Sequence, residues 1–120
     1  MQAQHAQLIW FDGPRSPELV AAADYAGRNR ITPALLADPI VAAGHVATYV
    51  LRQPDGTQVV ITLAKDEATL DRGNEIIMSS PLLPEEDPAL LGDPDRIHRF
   101  EVMHVVDETT KDTFVRGPQP

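Results

Sequence analysis

The sequence predicts an α+β domain in the order β-α-β-β-α-β, a four-stranded antiparallel sheet with two helices on one face. Three observations carry that expectation. Residues His45 to Ala64 hold two β-branched runs around Pro54-Asp55-Gly56, a hairpin signal. Helix-start signatures stand at Ser16-Pro17-Glu18 and at Asp66-Glu67. Outside these, Leu8 to Phe11 and Ile97 to Val106 read as strands.

Taken in order, Leu8-Ile-Trp-Phe11 is a short apolar run closed by Asp12-Gly13-Pro14, a buried strand ending in a turn. Ser16 offers an N-cap hydroxyl, Pro17 suits the first helical position, and Glu18 favours the first turn. The helix runs through Leu19, Ala22, Ala23 and Ala26, with Arg28 and Arg30 placed to complement its carbonyl end. Thr32-Pro33 restarts or kinks it, Leu35-Leu36 still pack, and Asp38-Pro39 breaks it. Residues 40–44 lead into the hairpin.

If Asp55-Gly56 is a two-residue hairpin loop, Tyr49 stands opposite Thr62 and Val50 opposite Ile61. A bulged three-residue turn slips that register and exchanges the faces of one strand. In the second helix Leu70, Gly73, Asn74 and Ile77 recur on one side, and Gly73 there points to a close approach to the sheet. Ser79-Ser80-Pro81 ends it. A loop follows to Asp95; its four prolines exclude a long helix or strand, and Leu82-Leu83 and Leu90-Leu91 anchor it in part. Glu85-Glu86-Asp87 reads as a solvated charge run. In the last strand His98, Phe100, Val102, His104 and Val106 share the face expected to meet the helices, with Arg99, Glu101 and Met103 opposite. Residues 1–120 are read as one domain with a core at about 7–106 and a flexible polar tail over 107–120.

Composition narrows the chemistry. A chain of 120 residues supplies one hydrophobic core. No cysteine is present, which removes disulfides, thiolate metal sites and thiol nucleophiles. The net charge of −8 repels phosphate backbones, so no nucleic-acid partner is expected. No apolar run reaches the roughly 20 residues of a membrane span, and the first residues lack a signal-peptide pattern; the expected location is cytoplasmic with no membrane partner.

The element order is the ferredoxin-like, split βαβ pattern. Trp10, Tyr49, Val60 and Met103 could occupy the sheet face without helices, too apolar to leave in water. With the run Ala47-Thr-Tyr-Val-Leu-Arg-Gln-Pro-Asp-Gly-Thr, followed by Val59-Val-Ile-Thr-Leu and a helix, the chain resembles the dimeric α/β-barrel superfamily over about residues 7–106. Within it, the chain resembles the antibiotic-biosynthesis-monooxygenase-like proteins. The resemblance implies a homodimer with a pocket between sheet and helices, and cofactor-independent oxidation, cyclisation or isomerisation of a small molecule. Two departures stand out. Monooxygenase members often carry a tryptophan after the third strand, where this chain has Ala64-Lys65-Asp66; haem-degrading members carry a histidine on the second helix, where it has Asn74 and Glu75.

His98 and His104 are the candidate general bases, because a histidine in an apolar setting is neutral near pH 7. The alternative is a pair of hydrogen-bonded histidines at strand ends. Asn74 could orient a ligand carbonyl or satisfy the backbone. Tyr49 and Trp10 could stack on a planar aromatic ligand, or serve as core or dimer interface. Arg99 and Glu101 are expected at an interface or in solvent. No metal site is expected: His98 and His104 stand about 20 Å apart along an extended strand. No cofactor is expected either. Two functions remain open, a small cofactor-independent enzyme of oxygenase, cyclase or isomerase type acting on a planar aromatic or polyketide-like molecule, and a non-catalytic ligand-binding or accessory dimer.

Overall fold

The computed structural model describes residues 1–108 and 111–116. Strand β1 spans His5–Phe11, and Ser16 caps helix α1 (Pro17–Ala26) by accepting the Leu19 N–H. A π-helical turn (Gly27–Ile31) carries the chain into α2 (Thr32–Ala37). The wide turn sits just before Pro33, which lacks an N–H and crowds the preceding turn, so the widening absorbs the misfit. Asp38 ends α2 and caps α3 (Pro39–Gly44) through the N–H groups of Ile40 and Val41. Residues 40–44, expected as a connector, are therefore a helical turn.

Strands β2 (His45–Arg52) and β3 (Gln58–Ala64) form the expected hairpin, with Tyr49 opposite Ile61 and Val50 opposite Val60. That is the slipped register. The loop has three residues, Pro54, Asp55 and Gly56: Gly56 N–H donates to Gln53 O at 3.0 Å, and Gln53 N–H to Thr57 O at 2.8 Å. Gly56 has φ +93°, open to glycine at little cost, and Thr57 N–H donates to Asp55 Oδ1.

Asp66 caps α4 (Glu67–Ser79) as its sequence predicts. Gly73 does not approach the sheet; a Cβ there would make an ordinary contact with Leu35 on α2, 3.7 Å away. The close approach is at Gly44, where a Cβ would overlap Thr69 Oγ1. The loop from Pro81 to Asp95 contains only a short 3₁₀ turn, Pro88–Leu90. Its firmest anchor is a charge: Glu86, with a side chain 2% exposed, pairs with Arg30 at 2.7 Å. Glu86 is thus no part of a solvated run, and Arg30 serves the loop, also donating to Ser80 Oγ.

The expected long last strand is two strands. β4 (Arg96–Glu101) lies beside β1; Val102 N–H still reaches Gln4 O, but the β1 ladder ends there. Having no further neighbour on the sheet, the chain leaves it, and β5 (His104–Asp107) pairs instead with β6 (Lys111–Phe114). A strand therefore occupies part of the expected tail; positions 109, 110 and 117–120 of that tail lie outside the described residues. The main sheet has the order β2-β3-β1-β4, antiparallel throughout, as the ferredoxin-like pattern requires.

Candidate functional site

Register and pleat assign every main-sheet side chain to a face. Gln7 bonds to Asn74 on α4, so its alternation marks the helix side. From β2 to β4, the rows on that side read Val50–Val60–Ile9–Ile97, then Thr48–Thr62–Gln7–Arg99. The uncovered face carries Leu51–Val59–Trp10–Arg96, then Tyr49–Ile61–Leu8–His98, then Ala47–Leu63–Ala6–Phe100.

The second helix-side row is a polar band, buried at Gln7 and exposed at Thr48. Gln7 is 4% exposed. Its amide pairs twice with Asn74, Nε2 donating to Oδ1 at 2.9 Å and Asn74 Nδ2 returning to Oε1 at 3.0 Å. Arg99 Nε donates to the same Gln7 Oε1 at 2.7 Å, and its Nη2 to Asp71 Oδ1 at 2.8 Å. At the β2 end, His45 Nε2 lies 2.8 Å from Thr48 Oγ1, which is 3.4 Å from Thr62 Oγ1. Gln7, Asn74 and Arg99 bind one another, and Arg99 also binds Asp71, so the band ties α4 to the sheet.

His98 and His104 are not in this layer. His98 points from the uncovered face, its ring 6.3 Å from that of Phe100, and His104 belongs to the β5–β6 sheet. The physical reason is the pairing of Arg99 with Gln7 and with the acids of α4, which fixes the strand's parity and turns His98 outward. Val60, expected on the uncovered face, faces the helices, and Met103 lies between β4 and β5. Asn74 does face the sheet, with its amide held by Gln7. Tyr49 and Trp10 are on the uncovered face as expected, but the faces of the two hairpin strands are matched differently, Ile61 and not Thr62 accompanying Tyr49.

Sequence reasoning missed Gln7, Arg99 and His45. The available signal was Gln7 itself: an amide between Ala6 and Leu8 in a buried strand needs a partner. The sequence predicts Arg99 and Glu101 at an interface or in solvent. Arg99 is instead bound inside, while Glu101 pairs with Arg116 at 3.5 Å.

The uncovered face carries large apolar side chains that are half-exposed. Tyr49 is 55% exposed, Leu51 52% and Phe100 52%, whereas no large side chain among the described residues is fully buried. A groove of about 230 Å³ runs along it between Trp10, Leu51, Arg52, Gln53, Thr57 and Val59. Trp10 Nε1 is buried there without a hydrogen-bond partner, and the Arg96 guanidinium covers the indole at 4.7 Å. The groove offers a flat apolar wall. Among the described residues no helix is long and apolar enough to cross a membrane.

A solved structure shares this fold. A dimeric ferredoxin-like protein from an uncultured marine organism superposes with a TM-score of 0.55 over 83% of this chain and 86% of its own, at 11% identity. That likeness establishes the ferredoxin-like fold. The sequence matches no protein-family model and no curated protein.

Proposed function

We propose that this protein works as a homodimer whose two uncovered sheet faces meet, and that it is a ligand-binding or accessory protein for a small planar aromatic molecule. One observation carries the reading. Tyr49, Leu51 and Phe100 stand half-exposed on one largely apolar sheet face, and among the described residues no large side chain is completely buried. Monomeric proteins rarely expose so continuous an apolar patch, and a second copy covers it with the same rows. The structurally similar marine protein being dimeric supports this.

The groove beside Trp10 supports the aromatic ligand. Its 230 Å³ is below the usual range of about 300–1,000 Å³ for ligand sites, so it suits a single ring system that the second copy closes over. The test is titration with a planar phenol or quinone: quenching of Trp10, the only tryptophan, is expected. Unchanged emission, with Tyr49→Glu and wild type equally monomeric, would remove the reading.

One observation favours the catalytic alternative, a cofactor-independent oxygenase, cyclase or isomerase. Leu8 faces His98 and Trp10 faces Arg96, which puts His98 diagonal to Trp10, about 7–8 Å away between backbones. A ring held on Trp10 is then within reach of His98 as base. Tyr49 stands three strand spacings from His98, about 14 Å, and does not touch the same ring within one chain. Single-turnover assays of His98→Ala with an activated quinol separate the two readings.

A further inference from the structure

Strand β2 ends the main sheet, and its outer edge is open. The strand order places β3 on one side of it and, among the described residues, no strand on the other. Gln53 N–H donates to Thr57 O, so Gln53 and Thr57 form a hydrogen-bonded pair. Such pairs alternate along an antiparallel ladder. Leu51 and Tyr49 therefore bond to Val59 and Ile61, whereas Arg52, Val50 and Thr48 point their backbone groups away from the sheet. Residues Thr48 to Arg52 are all exposed. The helices do not reach over this edge, for Val50 lies on their side and is 56% exposed.

An open edge is a template for another strand, and proteins that stay apart block it with charge, proline or a bulge. The opposite edge is blocked in this way: β4 carries Arg96 on one face and Arg99 and Glu101 on the other. Strand β2 is not. From Ala47 to Leu51 it holds no charge, no proline and no glycine, and its one irregularity lies at its start, between His45 and Ala47. Val50 on one face and Tyr49 and Leu51 on the other make the edge apolar.

The spacing of the outward groups decides what fits. A two-fold axis through Val50 sets Val50 against its own copy and Thr48 against the partner's Arg52. All three outward residues then fall in hydrogen-bonded pairs, with two N–H···O bonds in each. An axis through Leu51 sets Thr48 against Pro54, which has no N–H. One through Tyr49 sets Arg52 against Val46 in the irregular start, and one through Arg52 opposes two guanidinium groups. The Val50 axis also sets Tyr49 against the partner's Leu51, an aromatic–aliphatic cross-strand pair that occurs twice, and no like charges meet.

We propose that β2 pairs edge to edge with the β2 of a second copy, antiparallel about Val50, and joins two four-stranded sheets into one. The axis of this contact is perpendicular to the sheet, whereas that of the face-to-face contact lies in the sheet plane. The two contacts combine into a closed assembly of four chains. The edge contact does not rest on the face-to-face one, because it forms between single chains in the same way.

The contact is small, so mass action places it at high concentration. Light scattering between about 10 µM and 1 mM should show the mass rise twofold and level off, with hydrogen exchange at the Val50 amide slowing about tenfold over the same range. Val50→Lys sets two ammonium groups against each other at the axis and should hold the mass at its micromolar value. Val50→Pro removes an outward N–H, a change that an edge strand tolerates, and should do the same. A mass that stays flat overturns the proposal, and that is what an edge reserved for a strand of another protein gives. A mass that climbs past twofold, or a doubling that both variants keep, overturns it too. If Val50→Lys halves the micromolar species, the edge is the interface of that species and the sheet face is not, which separates failure of the one contact from failure of the other.

Discussion

Gln7 and Asn74 exchange two amide hydrogen bonds, 2.9 and 3.0 Å long, across the gap between β1 and α4. Each amide satisfies the other, and Arg99 takes the remaining capacity of Gln7 Oε1. The pair gives an asparagine on the inner side of α4 a hydrogen-bond partner. It also sets the parity of the sheet: with Gln7 inward, Trp10, Tyr49 and His98 are outward.

Breaking the pair on one side should cost more than removing it. Asn74→Leu leaves the Gln7 amide buried with one donor unmet, and is expected to lower unfolding free energy by about 1–3 kcal/mol. Gln7→Leu additionally strips Arg99 of a partner. The double variant should lose less than the sum of the two, the coupling that a shared hydrogen bond leaves in a double-mutant cycle. Urea titrations of the four proteins measure it, and strict additivity would show that the amides are independent.

Two glycines in the helical layer should respond with opposite signs. Gly73→Ala in α4 meets only Leu35 at contact distance and gains helix propensity, a stabilisation of about 0.5–1 kcal/mol. Gly44→Ala drives a methyl into Thr69 and must move α4 from the end of α3, so it destabilises. Paired melting temperatures read both directions at once.

Acid should weaken the fold in a defined way. A hydrogen bond from Arg72 holds the Asp38 carboxyl below its ordinary range, that from the Thr57 backbone lowers Asp55, that from the Thr69 hydroxyl lowers Asp66, and Arg30 lowers Glu86. A carboxylate whose pKa is lower folded than unfolded stabilises the native state above its unfolded value, about 4, and that contribution is lost as pH falls through the folded one. Urea midpoints should therefore be flat from pH 7 to about 5 and fall below it. Glu86→Gln should flatten the acid limb while lowering the midpoint at pH 7.

Much of this was legible residue by residue. Ser16 and Asp66 cap the helices they announce, Asp38 stops one helix, and Pro54-Asp55-Gly56 turns the hairpin. What stayed hidden depended on contacts across long stretches of chain. The hairpin register rests on the backbone angles of Gly56, which permit both a two- and a three-residue loop until strand pairing selects one. The face of β4 rests on the acids that α4 holds for Arg99, not on the apolar alternation of His98 and Phe100. Glu86 looked solvated because its partner, Arg30, lies 56 residues earlier. Trp10 and Tyr49 stand on the sheet face that their size and apolar character predict. The histidines were misplaced because strand parity is invisible without the neighbouring helix.

The central claim is that the uncovered face of the main sheet belongs against a second copy, and solution mass tests it most directly. Light scattering on the purified chain at micromolar concentration should give about twice the 13.1 kDa chain mass. Tyr49→Glu, a charge in the middle row of that face, should give the single-chain mass, whereas Met78→Glu, 82% exposed on α4, should leave the dimer intact. A wild-type protein that runs at the single-chain mass across the micromolar range contradicts the account, and so does a dimer that Tyr49→Glu leaves unchanged.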